Sequence, residues 1–136
     1  MNNLLDTNIL VHCIRKSITP PKNSFISIIT VGELKSFALR NRWGYLKQSN
    51  LENLLKNFPI IEIDGNLVDT YAIIDTFSQG LLINDPLPVG LSARNMGKND
   101  IWISATALYF DMELYSKDND FDHLIQIGLR LNKDFI

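Results

Sequence analysis

The chain begins MNNLLDTNIL, residues 1–10, and this stretch contains the first evidence of the fold. Its pair of leucines is followed at once by a carboxylate, Asp6, and then by a second apolar run. A short buried strand over residues 2–5 and a helix over residues 7–16 account for the apolar residues on both sides. Asp6 then lies at the carboxyl end of the strand, where it either caps the helix or helps to bind a metal ion.

The rest of the sequence alternates between strand-like and helix-like segments. The expected strands are at 25–29, 59–63 and 113–116, with 132–136 as a last edge strand, and the expected helices are at 30–41, 45–57, 66–79 and 99–110. Strands that alternate with helices indicate a three-layer α/β/α sandwich around a mostly parallel sheet. A length of 136 residues fits a single domain over 1–136.

Composition limits the class of protein. A hydrophobic content of 46% with 21% charged residues is typical of a globular chain and not of a disordered one. No apolar stretch reaches the roughly 18 residues of a membrane span, and the N-terminus lacks the features of a secretory signal. The single cysteine, Cys13, cannot form an internal disulfide. We therefore expect a cytoplasmic protein that does not bind a membrane.

Charge is distributed unevenly along the chain. The net charge is −2, but residues 1–56 carry eight Lys and Arg against three acids, whereas residues 57–136 carry five against twelve. A basic half beside an acidic half could bind a polyanion on one side and cations on the other. A solvated surface that is merely uneven in charge explains the same pattern.

Acidic side chains recur where strands give way to helices. Asp6 ends the first strand, and Glu33 lies early in the helix after the second. Asp100 opens the helix that begins NDIWI, and Asp118 and Asp120 follow the strand ELYS. In a parallel sheet these junctions meet at one edge, where α/β proteins bind their ligands. Carboxylates that converge repel one another, and Mg²⁺ or Mn²⁺ relieves the repulsion because hard cations prefer oxygen ligands.

Each acid also has an ordinary structural explanation. Asp6 and Asp100 could be N-caps of their helices. Thr30 and Glu33 have the T-x-x-E spacing of a capping box. Residues 118–120, Asp-Asn-Asp, suit a turn. Cap and metal roles are compatible where they use different oxygens of one carboxylate.

Four segments, taken in order, resemble the PIN-domain family. They are LLDTNIL, ITVGEL, ARNMGKNDIWISATA and LYSKDNDFDHL, and the resemblance extends from Asn3 to Leu124. More particularly, they resemble the toxin ribonucleases of VapBC toxin–antitoxin systems. The resemblance implies a PIN-like α/β/α domain that binds Mg²⁺ or Mn²⁺ and hydrolyses RNA phosphodiester bonds. It also implies a homodimer, and a cognate antitoxin protein that covers the active-site groove.

Carried over by position, the resemblance also assigns roles to individual residues. The implied catalytic acids and metal ligands are Asp6, Glu33, Asp100 and Asp118. Asp120 is expected to hold a second ion or its water. Ser116 stands where such proteins usually have threonine, and because it keeps the hydroxyl we expect it at the substrate.

Basic and polar residues just before Asp100 are candidates for contacts with RNA phosphates. They are Arg94, Lys98 and Asn99. The loop from 81 to 98 is long and contains two prolines and two glycines, and such loops in compact domains are usually functional or disordered. We expect it to border the substrate groove, although solvated surface charge explains the basic residues as well.

Other chemistries are less consistent with the sequence. His12 and His123 suggest a metal-free ribonuclease with two imidazoles, but structural roles for both are more ordinary. Neither G-x-G-x-x-G nor GK[ST] is present to bind a nucleotide. Asn8 stands where an aspartyl-phosphate phosphatase needs a second acid. The remaining alternative is a PIN-like module that binds a protein or nucleic acid without cutting it, and chelator-sensitive RNA cleavage distinguishes the two.

Overall fold

The computed structural model describes residues 1–136 and contains one five-stranded sheet. The strands are β1 (Asn3–Leu5), β2 (Ser24–Ser27), β3 (Ile60–Ile61), β4 (Glu113–Tyr115) and β5 (Arg130–Asn132). Their order across the sheet is β3-β2-β1-β4-β5, and every neighbouring pair is parallel. All five carboxyl ends therefore lie along the same edge.

Five α-helices accompany the sheet. They are α1 (Thr7–Lys16), α2 (Ile28–Arg40), α3 (Tyr45–Leu55), α4 (Val68–Ser78) and α5 (Lys98–Tyr109). Two 3₁₀ segments cover Gly65–Leu67 and Asn119–Ile127. No helix combines the length and the apolar composition that crossing a membrane requires.

The leucine pair of β1 explains why helices cover both faces of the sheet. Successive side chains of a strand point to opposite faces, and both Leu4 and Leu5 are fully buried. Leu4 packs into a core with residues of α4 and α5. Leu5 packs into a second core with residues of α1, α2 and α3. The predicted three-layer α/β/α sandwich is confirmed, and its sheet is parallel throughout.

The strand order produces a crevice at β1 and β4. From β1 the chain builds β2 and β3 on one side, then returns to place β4 on the other side of β1. Such a reversal leaves an opening between the carboxyl ends of the two strands, where open α/β sheets bind ligands. Asp6 and Ser116 follow directly after these two strands, so the topology brings them to this opening.

The predicted bounds of the last strand were wrong, and two of the alternative cap explanations are excluded. The last strand covers Arg130–Asn132 and not 132–136, because Leu131 pairs with β4 and the Asn132 side chain then accepts a bond from the Asp134 N–H. The capping box is also absent. Ser27 caps α2 by accepting from the Ile29 N–H at 3.1 Å, which places Thr30 inside the helix. Asp100 is not an N-cap either, since α5 begins at Lys98 after Gly97.

A buried polar group ties the 81–97 loop to the core. The Ser78 hydroxyl lies 2.7 Å from Nε2 of His123 and 3.2 Å from the sulfur of Met96. The Arg94 N–H donates to the Ser78 carbonyl at 2.8 Å. His123 is 3% exposed, and its Nδ1 has no hydrogen-bond partner. Burial, and then the charge of Arg94, lower the pKa of His123, although Asp122 opposes them.

This histidine should make stability sensitive to acid. Because the folded-state pKa lies below the unfolded value of 6.5, the unfolded chain binds the proton more readily. The free energy of unfolding should therefore fall as the pH drops below about 6.5, and stop falling below the folded-state pKa. Urea unfolding of His123→Gln should show a shallower loss between about pH 7 and 5 than the wild type. Equal slopes in the two proteins would contradict a lowered pKa of His123 in the folded state.

Candidate active site

Asp6 is held at the crevice by donors from two directions. Its Oδ1 accepts from the Thr7 N–H at 2.8 Å, which confirms its role as the N-cap of α1. Its Oδ2 accepts from the Ser116 hydroxyl at 2.7 Å, across the junction of β1 and β4. The side chain is 5% exposed, and burial raises the pKa of Asp6 despite these two hydrogen bonds.

Glu33 reaches the same place from α2. Its Oε1 accepts from the Thr7 hydroxyl at 2.7 Å, and Asn99 at the start of α5 approaches Oε2 at 3.5 Å. Three helices are thus joined around one carboxylate. This explains why Glu33 does not turn back to cap its own helix.

The remaining acids come from α5 and from the turn after β4. Asp100, Asp118 and Asp120 each offer one oxygen, and these oxygens lie within 4.8 Å of one another. The Asp118 N–H donates to the Ser116 hydroxyl at 3.0 Å, and Asp118 Oδ1 accepts from the Asp120 N–H at 2.9 Å. The predicted turn is therefore present and holds Asp118 beside Asp6.

The cluster carries negative charge that no side chain neutralises. Burial, followed by the charges of the other four acids, raises the pKa of Asp100 to about 7. The ion pairs of the structure lie elsewhere and join Lys35 to Glu52, Arg130 to Asp111 and Lys133 to Asp122. Carboxylates this close, without a basic partner, are the arrangement that a divalent cation stabilises.

A groove of about 640 Å³ opens over the acids and follows α1. Its acidic part contains Asp6, Glu33, Asp100 and Asp118. Beyond these it is lined by one face of α1, at Thr7, Asn8, Val11, His12, Arg15 and Lys16. The groove is therefore acidic where α1 begins and basic where α1 ends.

The predicted substrate residues are only partly brought to this groove. Ser116 and Asn99 contact Asp6 and Glu33, respectively. Arg94 and Lys98 are not among the side chains that line the groove, and neither is any residue of the 81–97 loop. A role for these two in RNA binding stays a prediction without support from their position.

Sequence reasoning missed the residues of α1. Thr7 bridges Asp6 and Glu33, and Arg15 and Lys16 line the far part of the groove. The available signal was the spacing of 7, 11 and 15, and of 8, 12 and 16, which places those residues on one face of a helix.

The two histidines do not meet in the groove. His12 lines it, whereas His123 is buried beside Ser78 and stacked against Phe77. A mechanism that needs two imidazoles therefore has only one of them at this site.

Comparison with known proteins agrees with this architecture. The family model described as PIN domain matches residues 4–125. The chain belongs to the PIN domain family. A search of curated protein sequences finds no significant match.

Solved structures show the same fold over nearly the whole chain. VapBC2 from Rickettsia felis, bound to a DNA fragment from its promoter, is 22% identical with a TM-score of 0.72, over 97% of this chain and 98% of that chain. VapBC-1 from nontypeable Haemophilus influenzae is 22% identical with a TM-score of 0.66, over 97% of each chain. FitAcB from Neisseria gonorrhoeae is 18% identical with a TM-score of 0.67, over 98% and 99%. At these identities the likeness establishes the fold of this PIN domain.

The charge repulsion predicts how Asp100→Asn changes stability in metal-free buffer. Because the pKa of Asp100 is raised in the fold, the folded chain keeps this proton at pH values where the unfolded chain has lost it. The contribution of the bound proton to stability is complete below pH 3.8 and is lost as the pH rises through about 7. The variant should melt higher than the wild type at pH 8, by about 3 to 4 °C if it recovers roughly 1 kcal/mol. The difference should vanish near pH 4. Asp85→Asn, in the exposed loop, is the control, and a lower melting temperature for Asp100→Asn at pH 8 would contradict the account.

Proposed function

We propose that this PIN domain is a Mg²⁺- or Mn²⁺-dependent endoribonuclease that hydrolyses RNA phosphodiester bonds. The observation that carries the proposal is the convergence of Asp6, Glu33, Asp100 and Asp118 in one groove without a basic partner. Membership of the PIN family and the resemblance to toxin ribonucleases support the same chemistry.

The residues present suit a hard divalent cation. Asp100, Asp118 and Asp120 offer a set of oxygens that is close enough to share an ion, and Asp6 and Glu33 border the same groove. No cysteine or histidine belongs to this set, which favours Mg²⁺ or Mn²⁺ over zinc. Such an ion, when bound, activates water for attack and stabilises the charge that develops on the phosphate.

The chain itself contributes the orientation of the acids. Ser116 and the Thr7 N–H fix both oxygens of Asp6, and the Thr7 hydroxyl fixes one oxygen of Glu33. These partners are neutral, so they orient the acids without neutralising them. Val11, Phe37 and Ile136 form the apolar part of the groove. The acids are thus held in place before any substrate arrives.

The same proposal includes a partner. We infer that the chain acts as the toxin of a toxin–antitoxin pair and forms a homodimer that an antitoxin protein inhibits. Support comes from the similar solved structures, which include a toxin–antitoxin complex from Klebsiella pneumoniae and VapBC-5 of Mycobacterium tuberculosis. Exposed apolar side chains at the start of α3, Tyr45 and Leu46, offer surface for such contacts.

The products of cleavage test the proposal. The protein with Mn²⁺ should cut a short RNA and leave a 5′-phosphate and a 3′-hydroxyl, and EDTA should stop it. A single 2′-O-methyl group at the cut position should not prevent the reaction, because the 2′-oxygen is not the nucleophile. Asp6→Asn and Asp118→Asn should abolish cleavage. Ser116→Ala should reduce it about 10- to 100-fold, because the hydroxyl orients a metal-binding acid.

The control and the contradicting results follow from the same assay. Asp85→Asn, remote from the groove lining, should cut like the wild type. A 2′,3′-cyclic phosphate, or cleavage that persists in EDTA, would contradict the metal mechanism. RNA that binds but is never cut would instead support a non-catalytic module, the alternative that the acid set disfavours.

A further inference from the structure

Two cations lie over aromatic rings, Arg15 in the basic part of the groove and Lys47 beyond it. The Arg15 guanidinium lies over the ring of Phe37, 5.3 Å from its centroid. The Lys47 ammonium lies over the ring of Trp43 at 5.7 Å. Phe37 and Trp43 contact each other edge to face, with centroids 5.7 Å apart. The four side chains form one continuous row from α1 to α3, which we call the cationic row.

The cationic row starts in the groove of the acids. Arg15 and Phe37 both line that groove. Arg15 also lines a second depression of about 420 Å³, together with Trp43 and Lys47. Arg15 lies nine residues after Asp6, which is about 13 Å along the axis of α1. The row therefore continues the groove away from the acids, over a distance that an extended ligand can span.

None of these cations has an acidic partner in the protein. Arg15, Lys16 and Lys47 are exposed, and no carboxylate lies within ion-pair distance of them. The negative end of α1 favours Arg15 and Lys16 at their positions, which would be a sufficient structural reason for those two. It does not explain Lys47, the third residue of α3, because the N-terminal end of a helix disfavours a cation. The contact with the Trp43 ring holds Lys47 there, and because no carboxylate lies within ion-pair distance its charge is available to an anion.

We propose that the cationic row binds backbone phosphates of an RNA strand whose cleaved phosphodiester lies at the acids. This rests on the proposed ribonuclease function and extends its substrate surface from the groove across Phe37 and Trp43. An RNA strand suits both parts of the groove, because one phosphate is required at the acids and further phosphates follow at regular spacing. An acidic peptide would complement the row alone.

The test compares cleavage kinetics of the wild type with those of Arg15→Met, Lys47→Met. Methionine keeps an apolar chain over each ring and removes the charge. On an RNA of about 12 nucleotides the KM should rise about tenfold, with kcat within about twofold, since the row acts on binding alone. Each lost phosphate contact should also make the salt dependence of log Kd shallower by about 0.7, or about 1.4 for both.

Three matched measurements isolate the row. Arg15→Lys, Lys47→Arg should keep the wild-type salt dependence, because both charges remain. Lys22→Met, Lys56→Met removes the same charge outside both depressions and should leave the KM unchanged. A dinucleotide, whose single phosphodiester must lie at the acids, should show the same KM in wild type and Arg15→Met, Lys47→Met. Melting curves exclude a loss of folding.

The experiments distinguish a wrong assignment of the cationic row from a wrong assignment of the ribonuclease function. An active enzyme with unchanged KM and salt dependence in Arg15→Met, Lys47→Met would overturn the row and leave the function standing. A wild type that cuts no RNA with Mn²⁺ would overturn the function. Fluorescence anisotropy with the same RNA would then still report on the row. If Arg15→Met, Lys47→Met binds RNA normally but loses an antitoxin protein, the row serves a protein partner and the inference is wrong.

Discussion

The hydrogen bond from the Ser116 hydroxyl to Asp6 joins two strand ends that lie 110 residues apart in the chain. It can form only because β4 returns to the side of β1, so it depends on the order of the whole sheet. The same serine accepts the Asp118 N–H, and the same aspartate begins α1. The Ser116 hydroxyl therefore holds Asp6 close to Asp118 at the point where α1 begins.

The fold keeps acids together at a cost in stability and reduces that cost with helix ends. Burial raises the pKa of both Asp6 and Asp100, which means that their charged forms are disfavoured where they stand. The N-terminal ends of α1 and α5 meet these two residues and favour negative charge. Ordinary packing does not require such a cluster, and sites where a protein departs from good packing are usually functional.

Local patterns in the sequence were sufficient for the layers and the acids. The alternation of strand-like and helix-like segments indicated a sheet covered on both faces, and the acids at strand ends indicated their convergence. The T-x-x-E pattern at Thr30 does not form a capping box, because Ser27, three residues earlier, is the N-cap of the helix. The Glu33 side chain instead accepts a hydrogen bond from Thr7. The cationic row could not be predicted from the sequence, because it depends on how α1 packs against α2 and α3. The spacing of residues along one helix does not reveal that packing.

Direct titration with Mn²⁺ followed by calorimetry tests the central claim, that the acids converge in order to hold a divalent cation. The wild type should bind the ion, and Asp100→Asn and Asp118→Asn should each lose detectable binding while remaining folded. Asp85→Asn should bind as the wild type does. A wild type that binds no Mn²⁺, or variants that bind it equally well, would contradict the account and leave only structural roles for Asp6 and Asp118, as a helix cap and a turn residue.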